Sequence, residues 1–255
     1  MNLLENKVGL VLGVANKRSI AWACADACHR NGALQAFSYQ GDRLKENVEK
    51  LAGELPESLI VPMDVTNQAE VDAAFEAIGK KYGKLDYIIH SIAFAPREAL
   101  EGDYVATTRD AFRTALEISA FSLNQVAFAA APLMKEGGSL LTLSYLGAER
   151  VMPHYNVMGV AKAALEASVM YIAADLGEHN IRVNAISAGP LKTLAASGIG
   201  DFRYIFKWNE YNAPLKRNTT LCDVGGASVF LLSDLGKGTT GEVLHVDGGA
   251  HAGRW

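Results

Sequence analysis

The sequence predicts an α/β fold, a single-domain, Rossmann-like, doubly wound sheet of about seven parallel strands with helices on both faces. Three observations carry that prediction. Short apolar runs alternate with longer amphipathic stretches from end to end. The runs are rich in Val, Ile and Leu on both faces, the composition of strands in a parallel sheet covered by helices on each side. The connections are long enough for crossover helices, so repeated βα units are the expected architecture.

The elements follow in order. Candidate strands occupy residues 8–14, 33–39, 59–65, 85–92, 139–145, 181–187 and 241–248. Helical patterns lie near residues 18–30, 42–54, 67–82, 108–135, 153–178 and 222–233. Right-handed crossovers place ligands at the carboxyl ends of such strands. Two connections are long, 92–107 and 188–201, and both follow a strand, so both are expected at the ligand edge. Neither a linker nor an internal repeat divides the 255 residues, so residues 1–255 read as one domain.

Composition narrows the function. A net charge of −4 gives no basic field for nucleic acid or an anionic membrane. No apolar run reaches the 18 or so residues of a membrane span, so none is expected. The N-terminal segment lacks the basic start and cleavage site of a signal peptide, so a cytoplasmic protein is expected. Cys24, Cys28 and Cys222 have no ligand-like spacing and read as packing residues. The six histidines form no HExxH or Cys/His cluster, and no metal is expected.

The most informative stretch is residues 144–174. Tyr155 and Lys162 are two helical turns apart and leave one face of a helix, about 10 Å apart along its axis. A phenol near a fixed ammonium suits donation to a developing oxyanion. The ammonium would also lower the pKa of a nearby phenol. Tyr145, ending the preceding strand, can reach the same place. Read alone, the spacing favours a surface tyrosine and a solvated lysine; the rest of the chain reverses that.

The cofactor end is less explicit. Gly13 ends the first strand, and Ser19 and Ile20 begin the first helix, whose N–H groups and dipole could meet a pyrophosphate. The GxGxxG pattern is absent, since no second glycine appears until Gly32. Gln40, at the end of the second strand, is neutral and cannot neutralise a 2′-phosphate, which favours NADH over NADPH. Asp64 and Val65 end the third strand, where a carboxylate can accept from the adenine amino group. Ile92, with Ser91 and Ala93, ends the fourth beside the expected nicotinamide path. Turn residues closing parallel strands would look the same at each place.

Together these motifs resemble the bacterial enoyl-[acyl-carrier-protein] reductases of the FabI type, a divergent branch of the short-chain dehydrogenase/reductases. The resemblance covers GVANKRSIAW (13–22), HSIAFAP (90–96), LSYLGAERVMPHYNVMGVAKAALEA (143–167), IRVNAISAGPLKTLAASGI (181–199) and GEVLHVDGG (241–249). Ordinary short-chain reductases carry Tyr-x3-Lys. Here the spacing is Tyr-x6-Lys, Gly159 stands where that lysine would fall, and Thr142 stands where their serine would.

The resemblance implies NADH-dependent reduction of trans-2-enoyl thioesters borne on acyl carrier protein, by a homotetramer, in the last step of the fatty-acid elongation cycle. It implies Tyr145, Tyr155 and Lys162 as catalytic residues. Gly13, Ser19 and Ile20 would cradle the pyrophosphate, Gln40 would lie at the ribose, Asp64 and Val65 at the adenine, and Ile92 near the nicotinamide. Lys162 would hold the nicotinamide ribose. Leu191, Lys192, Thr193, Leu194 and Ala195 would cover the cofactor, with 188–207 as a substrate-binding lid. Ala95, Tyr145, Tyr155, Met158, Ala195, Phe202 and Ile205 would line the acyl channel. One departure is the lid's basic cluster: Arg203 and Lys207 are present, but Gly200 and Tyr204 replace expected lysines, so Arg97 or Lys192 could serve in docking instead. The competing readings are a 3-oxoacyl or other carbonyl reductase and a non-catalytic NAD-binding protein.

Overall fold

A computed structural model describes residues 2–193 and 202–253, without the side chain of Phe202. Seven parallel strands form one sheet in the order β3-β2-β1-β4-β5-β6-β7. The strands are β1 (Val8–Leu12), β2 (Leu34–Tyr39), β3 (Leu59–Pro62), β4 (Tyr87–His90), β5 (Gly138–Ser144), β6 (Ile181–Ala188) and β7 (Val243–Val246). Each falls inside or within a residue of its expected run. The helices are α1 (Ile20–His29), α2 (Gly41–Ala52), α3 (Gln68–Tyr82), α4 (Arg109–Leu116), α5 (Ser122–Ala130), α6 (Asn156–Leu176), α7 (Phe202–Asn212) and α8 (Leu221–Leu232). The chain order reverses between β1 and β4, and that switch opens a crevice at the strand ends.

Strand alternation sends successive side chains to opposite faces, which makes two cores. Leu10, Ile88, Leu140, Val183 and Ala185 pack with α3, α5 and α6. Val11, Ile89, Leu141, Leu143 and Ile186 pack with α1 and α8. Cys24 and Cys28 are buried in the second core, where burial pushes the Cys24 thiol up to about 12. Both act as small apolar residues there.

Two elements differ from expectation. The helix expected over 108–135 is broken by a π turn, Glu117–Phe121, between α4 and α5. Two buried serines account for the break. Ser122 Oγ donates back to the Ile118 carbonyl at 2.6 Å, and Ser119 Oγ both donates to Phe94 O (3.0 Å) and accepts from Phe94 N (2.9 Å). Serine hydroxyls compete with the helical ladder in this way. The result ties the long connection after β4 to the helix. The second difference concerns α6. With the turn after it, Asn156–His179 is long and apolar enough to cross a membrane by length and composition alone. It lies against the sheet instead, burying Ala161, Lys162, Leu165, Val169 and Ile172.

Candidate active site

Two glycines decide how Tyr145, Tyr155 and Lys162 meet. A Cβ on Gly147 would fall 2.3 Å from Tyr155 Cδ1, and one on Gly159 would fall 2.8 Å from the Gly147 carbonyl oxygen. The start of α6 therefore lies directly on the turn after β5, and no lysine fits at position 159. The lysine must come from further along the helix, which Tyr-x6-Lys supplies. Tyr155 sits at the N-cap of α6, just before the helix proper. Left-handed φ values of 56° at His154 and 38° at Asn156 place it there. Asparagine tolerates that region better than most residues.

Tyr145 and Tyr155 then meet edge to face, with ring centroids 5.1 Å apart and planes at 76°. That is a favoured aromatic geometry. Lys162 is buried and donates from Nζ to the Leu143 carbonyl at 2.6 Å. Burial lowers its pKa to about 8, against the opposing field of Glu166. Burial pushes the Tyr145 phenol up to about 12. Burial also holds the Tyr155 phenol well above its ordinary value, helped by Tyr145 and Glu166. The expected lowering of the phenol by Lys162 is therefore not met: burial dominates and the pKa is raised. A phenol in this state is a hydrogen-bond donor at neutral pH. Thr142 is buried with its hydroxyl on His90 Nδ1 (3.0 Å) and His90 O (3.2 Å), and His90 Nε2 meets Ser122 Oγ at 2.9 Å. Burial, then Lys162, lowers His90 to about 3, so it is neutral. Thr142 thus tightens β4 against β5.

A cavity of about 610 Å³ opens over this group. Ile20, Ile92, Ala95, Tyr145, Tyr155, Met158, Lys162, Leu191, Thr193 and Ile205 line it. Ser91, Phe94, Leu100, Ser144, Met152 and Pro190 also line it. Of these, only Ser91 was singled out from sequence. Leu194, Ala195 and the Phe202 side chain lie outside the described residues. Lys192 does not face the cavity: its Nζ lies 4.4 Å from the Phe206 ring centroid on α7.

The dinucleotide end is built on backbone. Gly13 has φ +90°, and a Cβ there would fall 2.0 Å from the Ser91 carbonyl oxygen. Only glycine allows β1 to turn so tightly against the end of β4. Ser19 turns its hydroxyl back to Asn16 O (2.7 Å), so no side chain caps the first turn of α1. Those N–H groups are available to an anion. Gln40 and Asp64 meet each other, Nε2 to Oδ2 at 2.7 Å. Partial burial opposes ionisation of Asp64, but bonds from Thr66 and Gln40 outweigh it and hold the carboxyl below its ordinary range. Val65 is half-buried against the same core as Ile92. Close backbone approach, an uncapped helix start and a buried lysine near the nicotinamide end fit a dinucleotide.

The family model described as enoyl-(acyl carrier protein) reductase matches residues 13–251. The chain belongs to this family. Among curated relatives, enoyl-[acyl-carrier-protein] reductase [NADH] 1 of Rhizobium meliloti is 58% identical over 249 residues, spanning 98% of this chain and 92% of that protein. The Bacillus cereus enoyl-[acyl-carrier-protein] reductase [NADH] FabI is 55% identical over 253 residues, spanning 98% and 99%. Among solved structures, the Bacillus cereus reductase with NADP+ and an indole naphthyridinone superposes with a TM-score of 0.97 at 55% identity, over 99% of each chain. The Anaplasma phagocytophilum reductase in complex with NAD gives 0.95 at 54%, over 98% of this chain and 95% of that one.

Proposed function

We propose that this chain reduces the trans-2 double bond of enoyl thioesters carried on acyl carrier protein, using NADH. The observation that carries the reading is the edge-to-face Tyr145–Tyr155 pair beside buried Lys162 in one cavity. Bound NADH would supply the hydride that adds to the β-carbon. Charge then develops on the thioester oxygen, and Tyr155, protonated at neutral pH, donates to it. Tyr145 orients the thioester from β5. Lys162, with an ammonium already stripped of water, holds the nicotinamide ribose. Gly13, Ser19 and Ile20 receive the pyrophosphate, and Ile92 flanks the nicotinamide. Gln40, Asp64 and Val65 bound the adenosine end, and Leu191 and Thr193 cover the cofactor. Ala95, Met158 and Ile205 offer an apolar wall to the acyl chain.

In this reading the chain acts as one domain, residues 1–255, with 188–207 as its lid and a cytoplasmic location. It assembles as a homotetramer. Exposed Phe121 and Phe128 on the α4–α5 side, and Met170 and Tyr171 on α6, support association through that face. The test is the rate of NADH oxidation with a trans-2-enoyl thioester, beside a 3-oxoacyl thioester and beside NADPH. Fast turnover of the enoyl substrate with NADH is expected. Turnover of the 3-oxoacyl substrate alone would overturn the reading in favour of a carbonyl reductase. NADH binding without turnover of either would favour a non-catalytic NAD-binding protein.

A further inference from the structure

A row of polar side chains crosses the sheet behind the cavity wall. In the parallel register, Ser144 on β5 pairs with Ser187 on β6, and Ser187 pairs with His245 on β7. The three side chains therefore rise on one face, with Ser144 and His245 about 10 Å apart across two strand spacings. That face is the one α6 covers, and Glu166 lies on α6 one turn beyond Lys162. Its carboxyl oxygen Oε1 accepts a hydrogen bond from the Ser144 hydroxyl. Ser144 itself lines the cavity. Towards solvent, His245 Nε2 is 2.6 Å from Glu149 Oε1, and its ring stacks on His251 at 4.0 Å. His251 Nδ1 is in turn 3.0 Å from Asp247 Oδ2. Exposure rises along the row: Ser144 is 5% exposed, Glu166 is half-buried, and the Glu149 side chain is 41% exposed.

We propose that Ser144 and Glu166 relay a proton from solvent, on the side of the Glu149–His245 pair, into the cavity, to the α-carbon of the reduced substrate. This rests on the enoyl-thioester reading. Hydride addition leaves an enolate that lacks one proton and no electrons. The new α-carbon–hydrogen bond takes its proton from the Ser144 hydroxyl. The Glu166 carboxyl proton moves to Ser144 Oγ. The carboxylate regains its proton from water on the Glu149–His245 side of α6. The three residues already assigned to the site have other tasks: Tyr155 donates to the oxyanion, Tyr145 orients the thioester, and Lys162 is anchored to Leu143 O.

The groups facing Glu166 suit the role. Burial raises its pKa, the Ser144 bond lowers it, Glu149 raises it, and His245 and Lys162 lower it, with a net rise. A raised carboxyl keeps a protonated fraction nearer neutral pH than an ordinary glutamate does. The field of Lys162 and the relay are separable, because Lys162 acts on cofactor binding and Glu166 on turnover.

The test compares Glu166→Gln with the unmodified full-length protein on a trans-2-enoyl thioester. The amide keeps the shape and can still bond Ser144, but it cannot carry a proton. The expected result is a fall in kcat of at least tenfold, a raised solvent deuterium isotope effect on kcat, and loss of an alkaline limb in kcat. The NADH Kd stays within twofold. Difference infrared spectra of the apo proteins should assign to Glu166 a protonated carboxyl that persists above the pH of ordinary glutamates. Retention of kcat, isotope effect and pH profile within twofold would overturn the relay. If Glu166→Gln does not fold, Ser144→Ala against Ser144→Thr decides: the threonine variant should restore turnover, and equal turnover in both would overturn the relay. An unmodified protein inert towards the enoyl thioester overturns the substrate reading and the relay with it.

Discussion

Lys162 sets function against stability, and the conflict has a sign and a size. Its pKa is about 8 in the folded chain, against an ordinary 10.5. At neutral pH the ammonium is therefore held in a place that disfavours it, by about 3 kcal/mol at roughly 1.4 kcal/mol per unit. The folded pKa lies below the unfolded one, so between them the unfolded chain binds more protons and stability rises with pH. Burying Met in place of Lys162 removes this dependence. Between pH 7 and pH 9.5 the stability of the unmodified apo protein should gain about 2 kcal/mol on that of Lys162→Met. The comparison cancels the other titrating groups. Urea unfolding of both proteins at both pH values measures it, and NADH titration at pH 7 should show binding lost in the variant. A stability difference that does not change with pH would refute the desolvated ammonium. Unchanged NADH affinity in Lys162→Met or Lys162→Ala would refute its ribose role.

The other predictions follow from contacts at the same site. Tyr155→Phe should lower kcat by about 10²–10³ while NADH binding survives, measured by turnover and by NADH fluorescence. Gly147→Ala should displace the Tyr155 ring, since the added methyl would lie 2.3 Å from Cδ1. A folded protein with a large loss of kcat is expected, checked by circular dichroism and turnover together. Gly13→Ala combines a left-handed φ of +90° with a 2.0 Å clash on Ser91 O. The backbone cost alone is about 1–2 kcal/mol, and urea unfolding with NADH titration should show both stability and affinity reduced.

How much of this was legible in the chain depends on how local the cause is. The strand runs were readable because burial on both faces leaves an unbroken apolar signature. The Tyr155–Lys162 pairing was readable because helical spacing is a local rule. Even the glycine at 159 was visible as an oddity, although its cause, the carbonyl of Gly147, lies in a different element. What stayed hidden required register between strands or packing between helices. Gln40 and Asp64 were assigned separate tasks on the adenosine, yet they bond each other at 2.7 Å because β2 and β3 end side by side. Lys192 was expected over the cofactor from the family resemblance, and nothing in the sequence signals that its Nζ lies 4.4 Å from the Phe206 ring centroid on α7. The π turn needed both Ser119, bonded to Phe94 in a distant loop, and Ser122, bonded within its own helix. The row from Ser144 through Ser187 to His245 is the extreme case. Its members are separated by 43 and 58 positions, and only the sheet register of β5, β6 and β7 sets them side by side. Ser144 had a further disguise, since it stands beside Tyr145, whose aromatic ring drew the functional reading. A strand end points neighbouring residues to opposite sides, so two adjacent residues can serve one cavity from different directions. The tyrosine enters with its ring beside Tyr155, and the serine enters with Glu166 behind it.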